Sequence, residues 1–167
     1  LFGKNTAAGA INITTRQPSF TPNVAFETSF GNYGFIQAKA SVTGPLSKQL
    51  AARFSFSGTQ RDGLIDNVKT GIPVNDINNI GFKGQLLYKP SENTSITLAG
   101  DVSDQKPNGY AQVYAGVAPT LRASYRQFNN IIADLGYKLP SLNAFDRKID
   151  DDTQWKSNNQ LGGISLN

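Results

Sequence analysis

Residues 35–42, with the sequence FIQAKASV, alternate side chains of two kinds. After Phe35, every even-numbered residue is apolar and every odd-numbered residue is polar. Successive side chains of a β-strand point to opposite faces of a sheet, so a period of two indicates a strand with one apolar and one polar face. This short stretch therefore predicts a sheet that is apolar on one side only.

The same alternation returns before and after this stretch. It is found in residues 24–30, 50–57, 80–88 and 96–103, and in a weaker form in 154–166. We therefore predict an all-β chain with six strands of about 9 to 11 residues, a length that suits either a sandwich or a tilted membrane-spanning strand.

Composition excludes several classes of protein. The chain has no cysteine and no histidine, which removes disulfides, thiol nucleophiles, cysteine-based zinc sites and a Ser/His/Asp triad from these residues. We therefore expect no enzyme and no cofactor. No apolar run approaches the roughly 18 residues that a membrane-spanning helix needs.

The net charge of +4 does not point to nucleic acid. The 16 Lys and Arg residues are scattered singly, and Arg147-Lys148 is the only adjacent pair, so no continuous basic stripe is present. We expect no nucleic-acid partner.

The lengths of the connections favour a membrane barrel over a sandwich. The predicted connections are residues 31–34, 44–49, 60–78, 89–93 and 104–153. In an up-and-down meander, the third and fifth of these lie at one end, and they are the long ones. Outer-membrane barrels have short periplasmic turns and long external loops, whereas a soluble sandwich has no physical reason for this asymmetry.

The polar side of the strands carries three cations, Lys39, Arg53 and Lys83. A Lys or Arg that faced lipid at the midplane would cost ~2–4 kcal/mol, so this side is predicted to face the inside of the barrel. A wide barrel can hold charge in its lumen. The predicted lumen- or plug-facing set is Glu27, Gln37, Lys39, Arg53, Lys83, Gln85 and Asp101.

The opening stretch, LFGKNTAAGAINITTRQPS (residues 1–19), resembles the end of the plug domain of TonB-dependent receptors. The phrases GNYG (31–34), VTGPLS (42–47), ARFSFSGTQRDGLIDN (52–67), GFKGQLLYKP (81–90) and QVYAGVAPTLRASYRQFN (112–129) are similar to the first barrel strands of the iron-complex type of these receptors. The resemblance implies a large transmembrane antiparallel β-barrel of about 22 strands, of which about six are present here. It places the end of the plug at residues 1–20 and the first barrel strands at residues 21–167. Because the chain has no Met and both ends lack boundary signals, we expect a fragment.

The resemblance also implies a function. Such receptors sit in the outer membrane of Gram-negative bacteria, surrounded by lipid, and import a ferric siderophore or similar bulky metal chelate. The energy comes from TonB, through a segment that we expect to lie outside this chain. A passive porin-like barrel, or a TonB-dependent receptor for cobalamin or an oligosaccharide, remains an alternative.

The last long connection contains an expected helix and the candidate ligand residues. Apolar residues between Leu121 and Leu135 fall at helical spacing, Thr120 is a potential N-cap and Gly136 suits the end. The candidate contacts for an anionic, aromatic iron chelate are Tyr110, Tyr114, Arg122 and Arg126, since guanidinium groups pair with carboxylates and stack on rings. Solvated loop side chains are the alternative interpretation. We expect no metal at Asp150-Asp151-Asp152, which lack the spacing of a calcium loop.

Overall fold

A computed structural model describes residues 14–118, 120–152 and 158–167. Its main feature is one antiparallel six-stranded sheet in the order β1-β2-β3-β5-β6-β8. The strands are β1 (Asn23–Gly31), β2 (Phe35–Pro45), β3 (Leu50–Arg61), β5 (Ile77–Ser91), β6 (Thr94–Gln105) and β8 (Asn159–Leu166). The predicted all-β class and strand positions are confirmed, although residues 154–157 of the sixth predicted strand lie in the undescribed stretch 153–157. Within the described part of the chain the sheet is open, with β1 and β8 at its edges.

Strand pairing gives the two faces of the sheet a simple numbering. One row of directly opposed residues runs Phe26, Ala40, Phe56, Phe82 and Val102 across five strands. The neighbouring row contains Ser41, Ser55, Lys83 and Asp101. Opposed residues in an antiparallel pair share a face. Even-numbered strand residues therefore form what we call the apolar face, and odd-numbered strand residues form the polar face.

The two faces differ in their exposure to solvent. On the apolar face, large side chains such as Phe54 (61% exposed) and Phe82 (52% exposed) lie open. On the polar face, Ala51, Gln85 and Leu87 are buried near the short turns. Burial of the polar face therefore lies mainly at the end of the sheet that carries the connections β2–β3 and β5–β6.

The segment before β1 crosses the polar face at this same end. The Ser19 amide donates to Thr43 Oγ1 at 2.8 Å, and Arg53 Nε donates to the Gln17 carbonyl oxygen at 3.1 Å. Thr43 Oγ1 in turn donates to the Ala52 carbonyl oxygen at 2.8 Å. Residues 1–13, including the small-residue run 7–10, lie outside the described part of the chain.

The long connections contain more structure than the sequence predicts. Two short strands, β4 (Asp66–Asn67) and β7 (Lys148–Ile149), form a parallel pair that joins the β3–β5 connection to the β6–β8 connection. Ile65, Val74 and Ile149 form a small buried cluster at this junction, with Ala111 and Val113 packed against it. We call residues 62–76, 106–118 and 120–152 together the loop assembly.

The predicted helix exists but starts late. It is α1 (Phe128–Asp134), preceded by a 3₁₀ turn at Ser124–Arg126. The Thr120 cap is wrong, because the Gln127 side chain binds the carbonyl oxygens of Thr120 and Arg122 and holds them outside the helix. Gly136 ends the helix as predicted, with φ of +64°. Among the described residues, no helix is both long enough and apolar enough to cross a membrane.

Candidate functional site

The loop assembly is held together by side-chain amides that bind the backbone of a distant segment. Asn67 is 2% exposed, and its Nδ2 donates to the Asp151 carbonyl oxygen at 3.0 Å while its Oδ1 accepts from the Lys69 amide at 3.1 Å. Asn75 forms two bonds with Ala111, donating to its carbonyl oxygen at 3.0 Å and accepting from its amide at 2.8 Å. These bonds cross 36 and 84 residues of sequence and fix one long loop against the other.

The β1–β2 turn is tied to the same assembly. Tyr33 has a φ of 59°, and its hydroxyl accepts from Arg147 Nη1 at 2.8 Å while the guanidinium carbon lies 5.8 Å from the ring centre. The Tyr33 carbonyl oxygen accepts from the Asp62 amide at 2.8 Å. Three connections of the sheet therefore meet at one end of it. This is the arrangement that the connection lengths predict.

Two exposed polar contacts of the loop assembly each raise the pKa of one residue. Lys69 Nζ donates to Asp152, and this hydrogen bond, followed by the Asp152 charge, raises the pKa of Lys69. The Tyr137 hydroxyl donates to the Asp150 carboxylate, with 2.6 Å to Oδ2, and this hydrogen bond raises the pKa of Tyr137. Two carboxylates of the acidic run 150–152 thus serve as contacts between loop segments.

The structure gives the four predicted ligand residues different surroundings. Tyr114 is half-buried and stacks on Phe128, with ring centres 5.7 Å apart and an angle of 21° between the planes. Tyr110 is 76% exposed. Arg122 and Arg126 are both exposed; Arg122 precedes the 3₁₀ turn and Arg126 is its last residue, with its guanidinium 5.9 Å from the Tyr125 ring centre. The ligand role of all four stays a prediction.

The seven residues predicted to face a lumen share one face of the sheet. All have odd numbers within the strands, and the register opposes Glu27 to Lys39, Arg53 to Gln85 and Lys83 to Asp101. Lys39 Nζ lies 3.2 Å from Glu27 Oε1, in a pair whose side chains are both about half exposed. Mixed charge on one face is compatible with an aqueous interior, and the lumen itself stays a prediction.

Sequence reasoning missed the residues that assemble the loops, such as Asn67, Asn75 and Arg147. A partial signal existed, because asparagine tolerates positive φ and binds nearby backbone groups, and Asn75 has a φ of 61°. Its partner in the other loop could not be identified from spacing.

Comparison with known proteins shows a similarity to an iron-siderophore receptor. The chain is 24% identical over 110 residues to the ferrioxamine receptor of Yersinia enterocolitica. The match covers 66% of this chain and 14% of that receptor, so the chain spans only a small part of the relative. No protein-family model matches the sequence, and no solved structure matches it.

Proposed function

We propose that this chain forms part of a TonB-dependent outer-membrane receptor that imports a ferric siderophore or a similar bulky metal chelate. The observation that carries the proposal is the division of the sheet into an apolar and a polar face, with the long connections joined at one end. The apolar face contacts lipid, and the polar face lines the interior of a barrel of about 22 strands that a plug closes. The chain has no catalytic role in this proposal.

Two considerations support the lipid-facing assignment. Val24, Phe26 and Phe54 on the apolar face are each more than 60% exposed, an arrangement that water would disfavour over so large a patch. The polar face carries Lys39, Arg53 and Lys83, each of which would cost ~2–4 kcal/mol at the midplane of a bilayer. If the apolar face is turned to lipid and the polar face to the barrel interior, the apolar side chains avoid water and the three cations avoid lipid.

The substrate class rests on the similarity to a ferrioxamine receptor and on the residues of the long loop. Tyr110, Tyr114, Arg122 and Arg126 offer rings and guanidinium groups to a chelate that arrives from outside. TonB supplies the energy for passage, as the resemblance of residues 1–19 to a plug implies.

Uptake by living cells tests the proposal. A strain that lacks the gene should lose uptake of one radiolabelled ferric siderophore, and the full-length gene should restore uptake only when TonB is present. If the gene restored uptake of cobalamin or an oligosaccharide but of no iron chelate, the protein would still be a TonB-dependent receptor, with a different substrate. A permanently open, large conductance of the full-length protein in planar bilayers, independent of TonB, would instead support a passive porin.

A further inference from the structure

A row of six uncharged hydrogen-bonding side chains crosses the sheet next to the loop assembly. Strand pairing opposes each member to the next, from the edge strand β1 to the edge strand β8. We call this set the neutral row: Ser29, Gln37, Thr59, Asn79, Gln105 and Asn159. All six have odd numbers, and opposed residues share a face, so the neutral row lies on the polar face. It adjoins the long connections, since Gln105 is followed directly by Lys106 of the loop assembly.

The composition of the neutral row differs from that of its neighbours on the polar face. The next row towards the short turns contains the opposed pair Glu27 and Lys39. The two rows after it contain Lys83 with Asp101, and then Arg53. Every strand of the six, by contrast, gives the neutral row an amide or a hydroxyl group. At this level the strands therefore offer hydrogen bonds without charge.

The side chains of the neutral row are accessible from the polar face. Asn79 is exposed, and Ser29, Thr59 and Gln105 are half-buried. Gln37 Nε2 donates to Thr59 Oγ1 at 3.0 Å, and the amide keeps capacity for further bonds because it has two donors and an acceptor. Neighbouring strands are ~4.7–4.9 Å apart, so one ligand can contact several members of the row at once.

Charged side chains next to the neutral row are already engaged. Lys39 Nζ lies 3.2 Å from Glu27 Oε1. On the side of the loops, Arg61 Nη2 donates to the Asn75 carbonyl oxygen, and Asp76 Oδ1 accepts from a backbone amide of the β6–β8 connection at 2.5 Å. A strongly anionic ligand at this level would lose hydration without gaining a cation of its own, which is costly.

We propose that the neutral row binds an uncharged chelate whose outer surface carries amide or hydroxamate groups. This inference rests on the proposed import function and narrows its substrate class. Asn, Gln, Ser and Thr side chains both donate and accept hydrogen bonds, which matches the N–H and carbonyl groups of amides. A ligand of this kind gains hydrogen bonds from the row and leaves no charge unpaired. An anionic catecholate or carboxylate complex finds no cation among the six side chains.

Binding of iron chelates to the full-length receptor in detergent tests this inference. The probes are two ferric complexes of similar size: an uncharged trihydroxamate that carries amide groups, and an anionic tricatecholate. Isothermal titration calorimetry should show that the trihydroxamate binds more tightly. Its affinity should be almost independent of salt concentration, because salt screens interactions between charges and the contacts of the neutral row are uncharged.

Two matched double variants locate the binding surface. Asn79→Ala/Gln105→Ala removes a directly opposed pair of the neutral row and should weaken trihydroxamate binding about tenfold or more. Asn79→Leu/Gln105→Met removes the same polar groups while nearly keeping the volume, and it should weaken binding to a similar degree. The control Asn78→Ala/Gln60→Ala removes the same two residue types from a directly opposed pair on the apolar face, and it should leave the affinity unchanged.

The proposal is overturned if the tricatecholate binds more tightly than the trihydroxamate, or if the trihydroxamate binds equally to the wild-type protein and to both neutral-row variants. If the plug covers the neutral row instead, these variants should admit large antibiotics to cells that lack TonB and leave the affinity unchanged, which also overturns it. Failure of the import function would look different, because the full-length protein would then bind and import no ferric chelate of any class.

Discussion

The sheet and the loop assembly at its end are stabilised by different kinds of interaction. In the sheet, six strands of 8 to 15 residues bind their neighbours through backbone ladders, and a period of two places every side chain. In the loop assembly, two short strands, three buried apolar residues and a few side-chain amides connect segments far apart in sequence. We therefore expect the sheet to tolerate single changes at the exposed positions of its polar face, whereas the loop assembly depends on individual side chains.

The largest expected effect comes from reversing the character of the apolar face. Val42→Lys places a cation among Val24 and Phe54, and in the full-length protein in lipid vesicles it should lower the free energy of unfolding by ~2–4 kcal/mol. The adjacent Ser41→Lys lies on the polar face and should cost far less. Urea unfolding of both variants in vesicles measures the difference, and equal costs would contradict the assignment of the two faces.

A smaller loss of stability, confined to the loop assembly, is expected from Asn67→Ala. Asn67→Ala removes a buried amide and leaves the Asp151 carbonyl and the Lys69 amide unpaired, which should cost ~1–3 kcal/mol of local stability. Hydrogen exchange should quicken in residues 62–76 and 144–152 and stay unchanged in β2, β3 and β5. The exposed neighbour Asp66→Asn serves as the control and should change little.

If exchange in the sheet quickened as much as in the loops after Asn67→Ala, the two regions would unfold as one unit. The statement that the sheet and the loop assembly are stabilised by different interactions would then be wrong.

A still smaller effect is expected at the β1–β2 turn. Tyr33→Phe deletes the hydroxyl that accepts from Arg147 but keeps the ring beneath the guanidinium, so the expected cost is ~0.5–1.5 kcal/mol. Hydrogen exchange at residues 144–149 should quicken modestly. Tyr110→Phe, whose hydroxyl accepts only a long 3.3 Å bond from Gln112, should leave those residues unaffected, and the opposite ranking would exclude Tyr33 as a tether.

The smallest expected effect is a change in the titration of Tyr137. Its hydroxyl is held protonated by Asp150, so its pKa lies above the ordinary 10.0. A folded-state pKa that is raised means that the contact is fully present below pH 10.0 and is lost as the pH rises through the raised value. The difference in tyrosinate absorbance between the wild-type protein and Tyr137→Phe should show a transition at a pH above the ordinary pKa of tyrosine. Asp150→Asn should move this transition down towards the ordinary pKa. An unmoved transition would show that Asp150 does not hold the proton.

Much of the sheet could be predicted from the sequence, because its signals are local. The alternation in residues 35–42 specified β2, and the same parity of odd and even residues placed Lys39, Arg53 and Lys83 on one face. A shift of one residue would exchange the two faces, so the pattern specifies the register strongly. Turn residues at 31–34 and 44–49 then limited where the strands end.

The loop assembly could not be predicted in the same way. The helical spacing from Leu121 suggested a helix that the Gln127 side chain, bound to the carbonyl oxygens of Thr120 and Arg122, delays to Phe128. Propensity is a weak preference that a few hydrogen bonds override. The four predicted ligand residues likewise gave no indication that Tyr114 would stack on Phe128.

The sequence by itself determined where the strands run and which side chains share a face, because adjacent residues decide both through the geometry of an extended chain. Only the tertiary structure decided that Asn67 meets Asp151, that Ile149 packs on Val74 and that Arg147 binds Tyr33. Such contacts join residues up to 114 positions apart. Their partners are selected by shape and hydrogen bonding in three dimensions, and no periodic pattern in the sequence identifies them.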